Sequence, residues 1–285
     1  MRPTLAHMLH GNNKQITIPI EQWVENTFDS NSWVILSPIE QSIKSKIEKY
    51  GTPLRDWDIK INRGVLTGCN EAFIISTEKR DEILANCKTK EERKRTDEII
   101  RPILRGRDIK RYKYDWKGLW LINTHNGVKG KFPRVDIKDY PAIKQWLDKG
   151  GEAYNGKIYH GYKDIEKRAD QGDTPYNLRN CAYLDDFSKP KIIFSRISGA
   201  EPCFALDTQC FFLNDTGYSI SCRYLNYLLN KLCDPIYWFA LRRFYMGGGI
   251  EREFKVNNLE ILPIPLPQND NIPFTNEELE FMHSH

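Results

Sequence analysis

Short β-rich runs, separated by glycine, asparagine and charged turns, set the terms on which this chain can fold. Ile59 to Ile61, Ala72 to Ile75 and Leu119 to Asn123 each read as a strand of a few residues, enough for several small sheets. Lys191 to Ile197 reads as a buried strand, and Cys203–Leu206 with Cys210–Leu213 predicts a hairpin around Asp207-Thr208-Gln209. Helical signals lie between these runs. Ser37-Pro38-Ile39-Glu40 is a capping box with proline at the first helical position, and Ile39, Ile43, Ile47 and Tyr50 follow at helical spacing until Gly51. Tyr140-Pro141 opens a short helix carrying Ile143, Trp146 and Leu147, and Tyr224 to Phe244 is a helical stretch that Pro235 kinks or splits. Residues 259 to 267 alternate prolines and are expected to be extended, since Pro263 and Pro265 forbid both a helix and an interior strand. Residues 152 to 190 are polar and loop-rich, and the first thirty are polar and irregular.

The 285 residues, 40% hydrophobic and 12% aromatic, can bury a substantial core. No apolar run approaches the roughly 20 residues that span a bilayer, and the N-terminus lacks a signal-peptide core, so a soluble, cytoplasmic protein is expected. Seven cysteines without a C-x-x-C pair argue for buried thiols in a reducing compartment, against a disulfide framework or a zinc site. His7 and His10 lack the further ligands that a tetrahedral metal site needs, and His283 and His285 read as a frayed tail.

Charge is concentrated. Between Lys88 and Lys117 there are twelve Lys/Arg against six Asp/Glu, an excess of +6 in a chain whose whole formal charge is +4. A focused positive field is the footprint of a nucleic-acid binder, because phosphate neutralisation supplies most sequence-independent affinity. The competing reading is a solvated basic loop. Within the run Arg101 to Tyr112, however, Ile103, Leu104, Ile109 and Tyr112 supply apolar anchors between the cations. Anchored guanidinium forks lose less entropy on meeting phosphate or guanine.

Reaction centres are harder to find. There is no [D/N]-P-P-aromatic turn for a flipped base, no glycine-rich cofactor loop, no G-x-S-x-G and no H-E-x-x-H. The Gly64 to Asn70 turn lacks the P-loop lysine and reads as a tight strand connection. Glu253-Phe254-Lys255 with Asp234 upstream fits a Mg²⁺ nuclease triplet, but Asp58-Ile59-Lys60 and Asp108-Ile109-Lys110 also match it.

Four ordered series carry a resemblance: Arg63-Gly64 with Thr67-Gly68, Asn70 and Ala72-Phe73; Arg101-Pro102 through Leu104-Arg105-Gly106-Arg107-Asp108-Ile109; Leu178-Arg179 followed by Phe187 and Lys189 to Ile193; and Leu262-Pro263-Ile264-Pro265. Together they resemble the TaqI-like C-terminal specificity domain, the target-recognition region of adenine-specific DNA methyltransferases and single-chain type II restriction-modification enzymes. The resemblance implies an α/β (α+β) fold of small, mainly antiparallel twisted sheets with peripheral helices, and a double-stranded DNA partner. It further implies a methyltransferase module in cis or trans, with S-adenosylmethionine and possibly Mg²⁺ in the parent enzyme and no cofactor or catalytic centre in this chain. The expected domains are a connector over 1–32, the recognition domain over 33–266 and a tail over 267–285. Phosphate positioning is assigned to Lys110, Arg111, Arg242, Arg243 and Lys255, and groove readout to some of Asn70, Arg105, Arg107, Arg179 and Arg196. The rivals are a nuclease built on Asp234, Glu253 and Lys255, and a specificity subunit of a multi-subunit restriction system.

Overall fold

A computed structural model of the chain describes residues 36–197, 201–246 and 255–284, together with the backbone of 6–9 and 15–18. Among these residues one antiparallel sheet divides two hydrophobic cores. Its strands are ordered Phe204–Asp207, Lys191–Ser195, Gly217–Cys222 and Ile59–Arg63. The strand Lys191–Ser195 is buried at every position, as a continuous apolar run requires when both faces are covered. Successive side chains point to opposite faces. Ile193 and Ala205 therefore join the first core, while Ile192, Phe194 and Phe204 join the second.

The first core is completed by a sheet ordered Phe212–Leu213, Ile100–Leu104, Leu119–Ile122 and Ile74–Ser76. All its pairings are antiparallel except that Phe212–Leu213 runs parallel to Ile103 and Leu104. Helices Thr77–Ala85 and Pro141–Lys149 cover it through Ile83, Ile143, Trp146 and Leu147. On the second core lie helices Pro38–Tyr50, Leu225–Leu232, Pro235–Ala240 and Asn276–Ser284, contributing Ile43, Ile47, Leu228, Phe239 and Met282. Four two-stranded antiparallel pairs complete the described β structure. This is the expected α/β (α+β) arrangement. No helix among the described residues is long and apolar enough to cross a membrane.

Several local expectations hold in detail. Ser37 and Glu40 close the capping box, and Asp234 caps a separate helix that starts at Pro235. Pro263 faces Pro53 in a two-residue pair with Thr52–Pro53, an edge position that needs no proline N–H.

Others are corrected. The hairpin around Asp207-Thr208-Gln209 does not form: Phe204–Asp207 stays in the dividing sheet, and Phe212–Leu213 crosses to the other one. Asp207 bends the chain by accepting the Gln209 and Phe211 N–H groups at 2.8 and 2.9 Å, and Cys210 takes φ 61°. Phe212 then stacks on Phe187 at 4.8 Å, a contact that hairpin pairing would forfeit. Asn70–Phe73 is one helical turn before the strand Ile74–Ser76, and Leu259 and Glu260 belong to the helix Val256–Glu260 rather than to an extended segment. The first thirty residues carry the antiparallel pair Ala6–Leu9 and Gln15–Ile18. All seven cysteines are free, yet only Cys233 is fully buried.

His283 belongs to the helix Asn276–Ser284, so it is not a frayed end. Glu278 docks that helix: it accepts Lys46 Nζ at 2.7 Å, Ser42 Oγ at 2.7 Å and the Thr275 N–H at 2.7 Å. Burial opposes its charge, but these donors outweigh burial and hold the carboxyl at about 2. A depressed carboxylate pKa contributes stability that is present above the unfolded value, 4.5, and is lost as pH falls towards 2. Glu278→Gln is therefore expected to lower the thermal midpoint at pH 7 and to flatten its dependence on pH between those limits; superimposable pH–melting curves would refute the role.

Candidate nucleic-acid interface

The basic run folds into three different settings. Its first part, Lys90–Ile99, is a helix that the sequence reading did not identify. Its middle, Ile100–Leu104, is a core strand in which Ile103 and Leu104 are fully buried. The helix exposes Lys90, Arg93, Lys94 and Arg95, and the last part of the run faces outward as well. Arg105-Gly106-Arg107-Asp108 forms a tight turn, followed by a hairpin pairing Ile109 with Tyr114 and Lys110 with Lys113. Ile109 is a buried anchor as expected, whereas Tyr112, taken as another, is 49% exposed at φ 63° on the hairpin tip.

The turn is bolted to the loop after Leu213. Gly106 N–H donates to Thr216 Oγ1 at 2.9 Å, Thr216 Oγ1 to Asn214 Oδ1 at 2.6 Å, and Asn214 N–H to the Leu104 carbonyl at 3.0 Å. A Cβ at residue 106 would lie 2.4 Å from the Thr216 carbonyl oxygen, so glycine is required by close approach. Beside the turn opens a cleft of about 450 Å³, lined by Arg105, Arg107, Lys110, Tyr154, Ser195, Ile197, Cys203 and Thr216 among others. Sequence reasoning missed its polar walls, because Tyr154, Asn214 and Thr216 come from segments far apart in the chain.

The assigned cations do not share one role. The side chains of Arg107 and Lys110 are exposed and make no hydrogen bond or ion pair among the described residues. Arg105 is spent internally: its Nε and Nη2 reach both oxygens of buried Asp108 at 2.9 and 2.8 Å. Those bonds raise the guanidinium pKa further, against burial. Arg105 is thus a clamp for the turn, its guanidinium engaged with Asp108 rather than directed outward. Arg111 donates to the Cys233 carbonyl at 2.8 Å, tethering the hairpin tip to the end of helix Leu225–Leu232. Asn70 accepts the Thr67 hydroxyl at 2.7 Å inside its own turn.

Elsewhere, Arg179 is exposed but paired with Asp170 at 3.0 Å. Arg196 lies next to the cleft residues Ser195 and Ile197, its N–H donating to the Thr216 carbonyl at 2.8 Å. Arg243 belongs to the second core's surface, where its Nε meets Glu40 at 2.5 Å, and Arg242 lies over the Trp238 ring. Lys255 occupies the position before the helix Val256–Glu260, without a side-chain capping bond. The structure therefore brings Arg105, Arg107 and Lys110 into the lining of one cleft, with Arg196 adjacent to it only through its backbone, and leaves Arg179, Arg242, Arg243 and Lys255 on other segments. Arg168, only a landmark in the sequence, is 5% exposed; it donates to the carbonyls of Thr67 and Pro175 at 2.6 and 3.1 Å and lies over the Phe73 ring. Burial lowers its pKa to about 10.

For the nuclease alternative, Asp234 is occupied as a helix cap, its Oδ1 accepting the Ile236 N–H at 2.8 Å. Glu253 lies outside the described residues. Among the described residues no group of three His, Cys, Asp or Glu side chains could hold a metal ion.

Within one turn, then, Arg105 is the internal clamp and Arg107 the exposed cation. Residues 101–264 match the TaqI-like C-terminal specificity domain, more than half of the chain, and the protein belongs to that family. The match starts at Arg101, so the Arg63 to Phe73 series lies ahead of it. No curated protein matches the sequence. Solved structures similar to the chain include the Type IIL restriction-modification enzyme MmeI in complex with DNA, at 10% identity and TM-score 0.47, covering 92% of this chain and 30% of that one. Another is the type IIG restriction endonuclease BpuSI, at 13% identity and TM-score 0.46, covering 87% and 28%. The chain thus spans under a third of either enzyme.

Proposed function

We propose that this chain is the sequence-specific double-stranded DNA recognition domain of a restriction-modification DNA adenine methyltransferase and performs no chemistry alone. The observation that carries the reading is the pair of exposed, unpartnered cations Arg107 and Lys110, held on a rigid turn in a member of a specificity-domain family. Residues 33–266 form the recognition domain, and a methyltransferase module in cis or trans supplies S-adenosylmethionine chemistry, with Mg²⁺ if the parent also cleaves. Arg107 reads bases, while Lys110 neutralises phosphate.

Selection from a random duplex library in low salt, with the chain joined to its catalytic module, tests this. One sequence class is expected to enrich and to bind at least ~1,000-fold more tightly than random duplex, the lower end for specific proteins. Enrichment of no sequence overturns the reading. Mg²⁺-dependent cleavage by the chain itself, lost in Glu253→Ala, would replace it with the nuclease.

A further inference from the structure

A second basic cleft is lined by the same 151–159 hairpin whose Tyr154 lines the first. Its volume is about 870 Å³, and its lining includes Lys149, Lys163, Lys167, His160, Ile158 and Tyr159. None of the three lysines makes a hydrogen bond or ion pair among the described residues, and all three are exposed. Asp164 is the single acidic residue in the lining, and it is engaged with the His160 N–H at 2.8 Å and its ring nitrogen at 3.2 Å.

The floor is built rather than loose. Tyr159 is 1% exposed and donates its hydroxyl to the Leu147 carbonyl at 2.7 Å. Gly150 and Gly161 hold φ 71° and 76°; a Cβ on either would lie 2.1 Å from a backbone oxygen, of Tyr159 and Asp148 respectively. Lys149, at the end of helix Pro141–Lys149, and Lys163, on Tyr162–Ile165, are therefore fixed at their backbones. One hairpin serves both clefts: its turn residue Tyr154 lines the first, and Gly151, Ile158 and Tyr159 of its strands Gly151–Glu152 and Ile158–Tyr159 line the second.

We infer that Lys149, Lys163 and Lys167 form a second phosphate-binding station for double-stranded DNA, continuous with the Arg107/Lys110 cleft across this hairpin. The inference rests on the recognition reading above. Three free ammonium groups around an open cleft are point charges without the planar fork that reads bases, so they set affinity and register and leave base preference to the first cleft.

The test compares the triple variant Lys149→Gln/Lys163→Gln/Lys167→Gln with wild type and with Arg107→Ala, using a selected and a random duplex across a salt series. Each lost phosphate contact lowers the log–log salt slope by about 0.9, so a fall of about two to three units is expected from the triple variant. The ratio of selected to random affinity should stay at the wild-type value, and Lys163→Gln alone should lower the slope by about one unit. Thermal melting verifies that these surface changes leave the fold intact. A triple variant with the wild-type slope, while Arg107→Ala still reduces preference, overturns the second station alone. Absence of any duplex binding by wild type removes both readings.

Discussion

Lys191→Met is expected to destabilise the fold by about 3–5 kcal/mol, because it strands a carboxylate in the interior. Lys191 and Asp207 are both fully buried, with Nζ 2.6 Å from Oδ2, and the ammonium also donates to the Phe187 carbonyl at 2.8 Å. They sit opposite each other on the dividing sheet. Asp207 carries more than the ion pair, since it also accepts the two N–H groups that turn the chain out of the dividing sheet towards Phe212–Leu213. Asp207→Ala should therefore cost at least as much as Lys191→Met. It leaves two backbone donors and an ammonium unsatisfied, whereas the lysine variant leaves one carboxylate that keeps its amide donors. Urea denaturation at pH 7 reads both changes, and midpoints within error of wild type for either variant would refute the account.

That pair also explains where the sequence was readable. Ser37 to Gly51 and Tyr140 to Gly150 were legible as helices because capping, proline placement and apolar spacing act within a few residues. The expected buried strand Lys191 to Ile197 was legible because its apolar run does not alternate, although it ends at Ser195 and Ile197 is exposed. The Asp207 crossover was not, since its cause is a lysine sixteen positions away and a parallel partner at Ile103, neither encoded locally. The helices Thr77–Ala85 and Lys90–Ile99 were masked by charge: Lys90–Ile99 buries only Glu92 and Thr96, so it carries no apolar stripe. At the candidate interface, the basic run includes Arg107 and Lys110, which lie exposed in the lining of the cleft. Charge counting could not tell that Arg105 is consumed by Asp108, nor that Lys149, Lys163 and Lys167, spread over nineteen positions, line one cleft.

Arg105→Ala and Arg107→Ala, two residues apart, are expected to fail in opposite ways. Arg105 holds both carboxylate oxygens of Asp108, which is 4% exposed, so its loss should cost the fold about 2–3 kcal/mol. Its effect on DNA should follow from a loosened turn: weaker binding to selected and random duplexes alike, partly recovered by Arg105→Lys, which restores a charge to Asp108 without the fork. Arg107 touches no described partner, so Arg107→Ala should melt with wild type. Under the proposed reading it should instead lose about 1–3 kcal/mol of discrimination, roughly 5- to 150-fold, on the selected site alone. Lys110→Ala is the reference for a phosphate contact, lowering the salt slope by about 0.9 with preference retained. The pattern to be measured is therefore stability lost at 105, preference lost at 107 and salt dependence lost at 110. Equal loss of preference at 105 and 107 in variants that melt like wild type would show that the Asp108 clamp opens on DNA and that both guanidinium groups read bases.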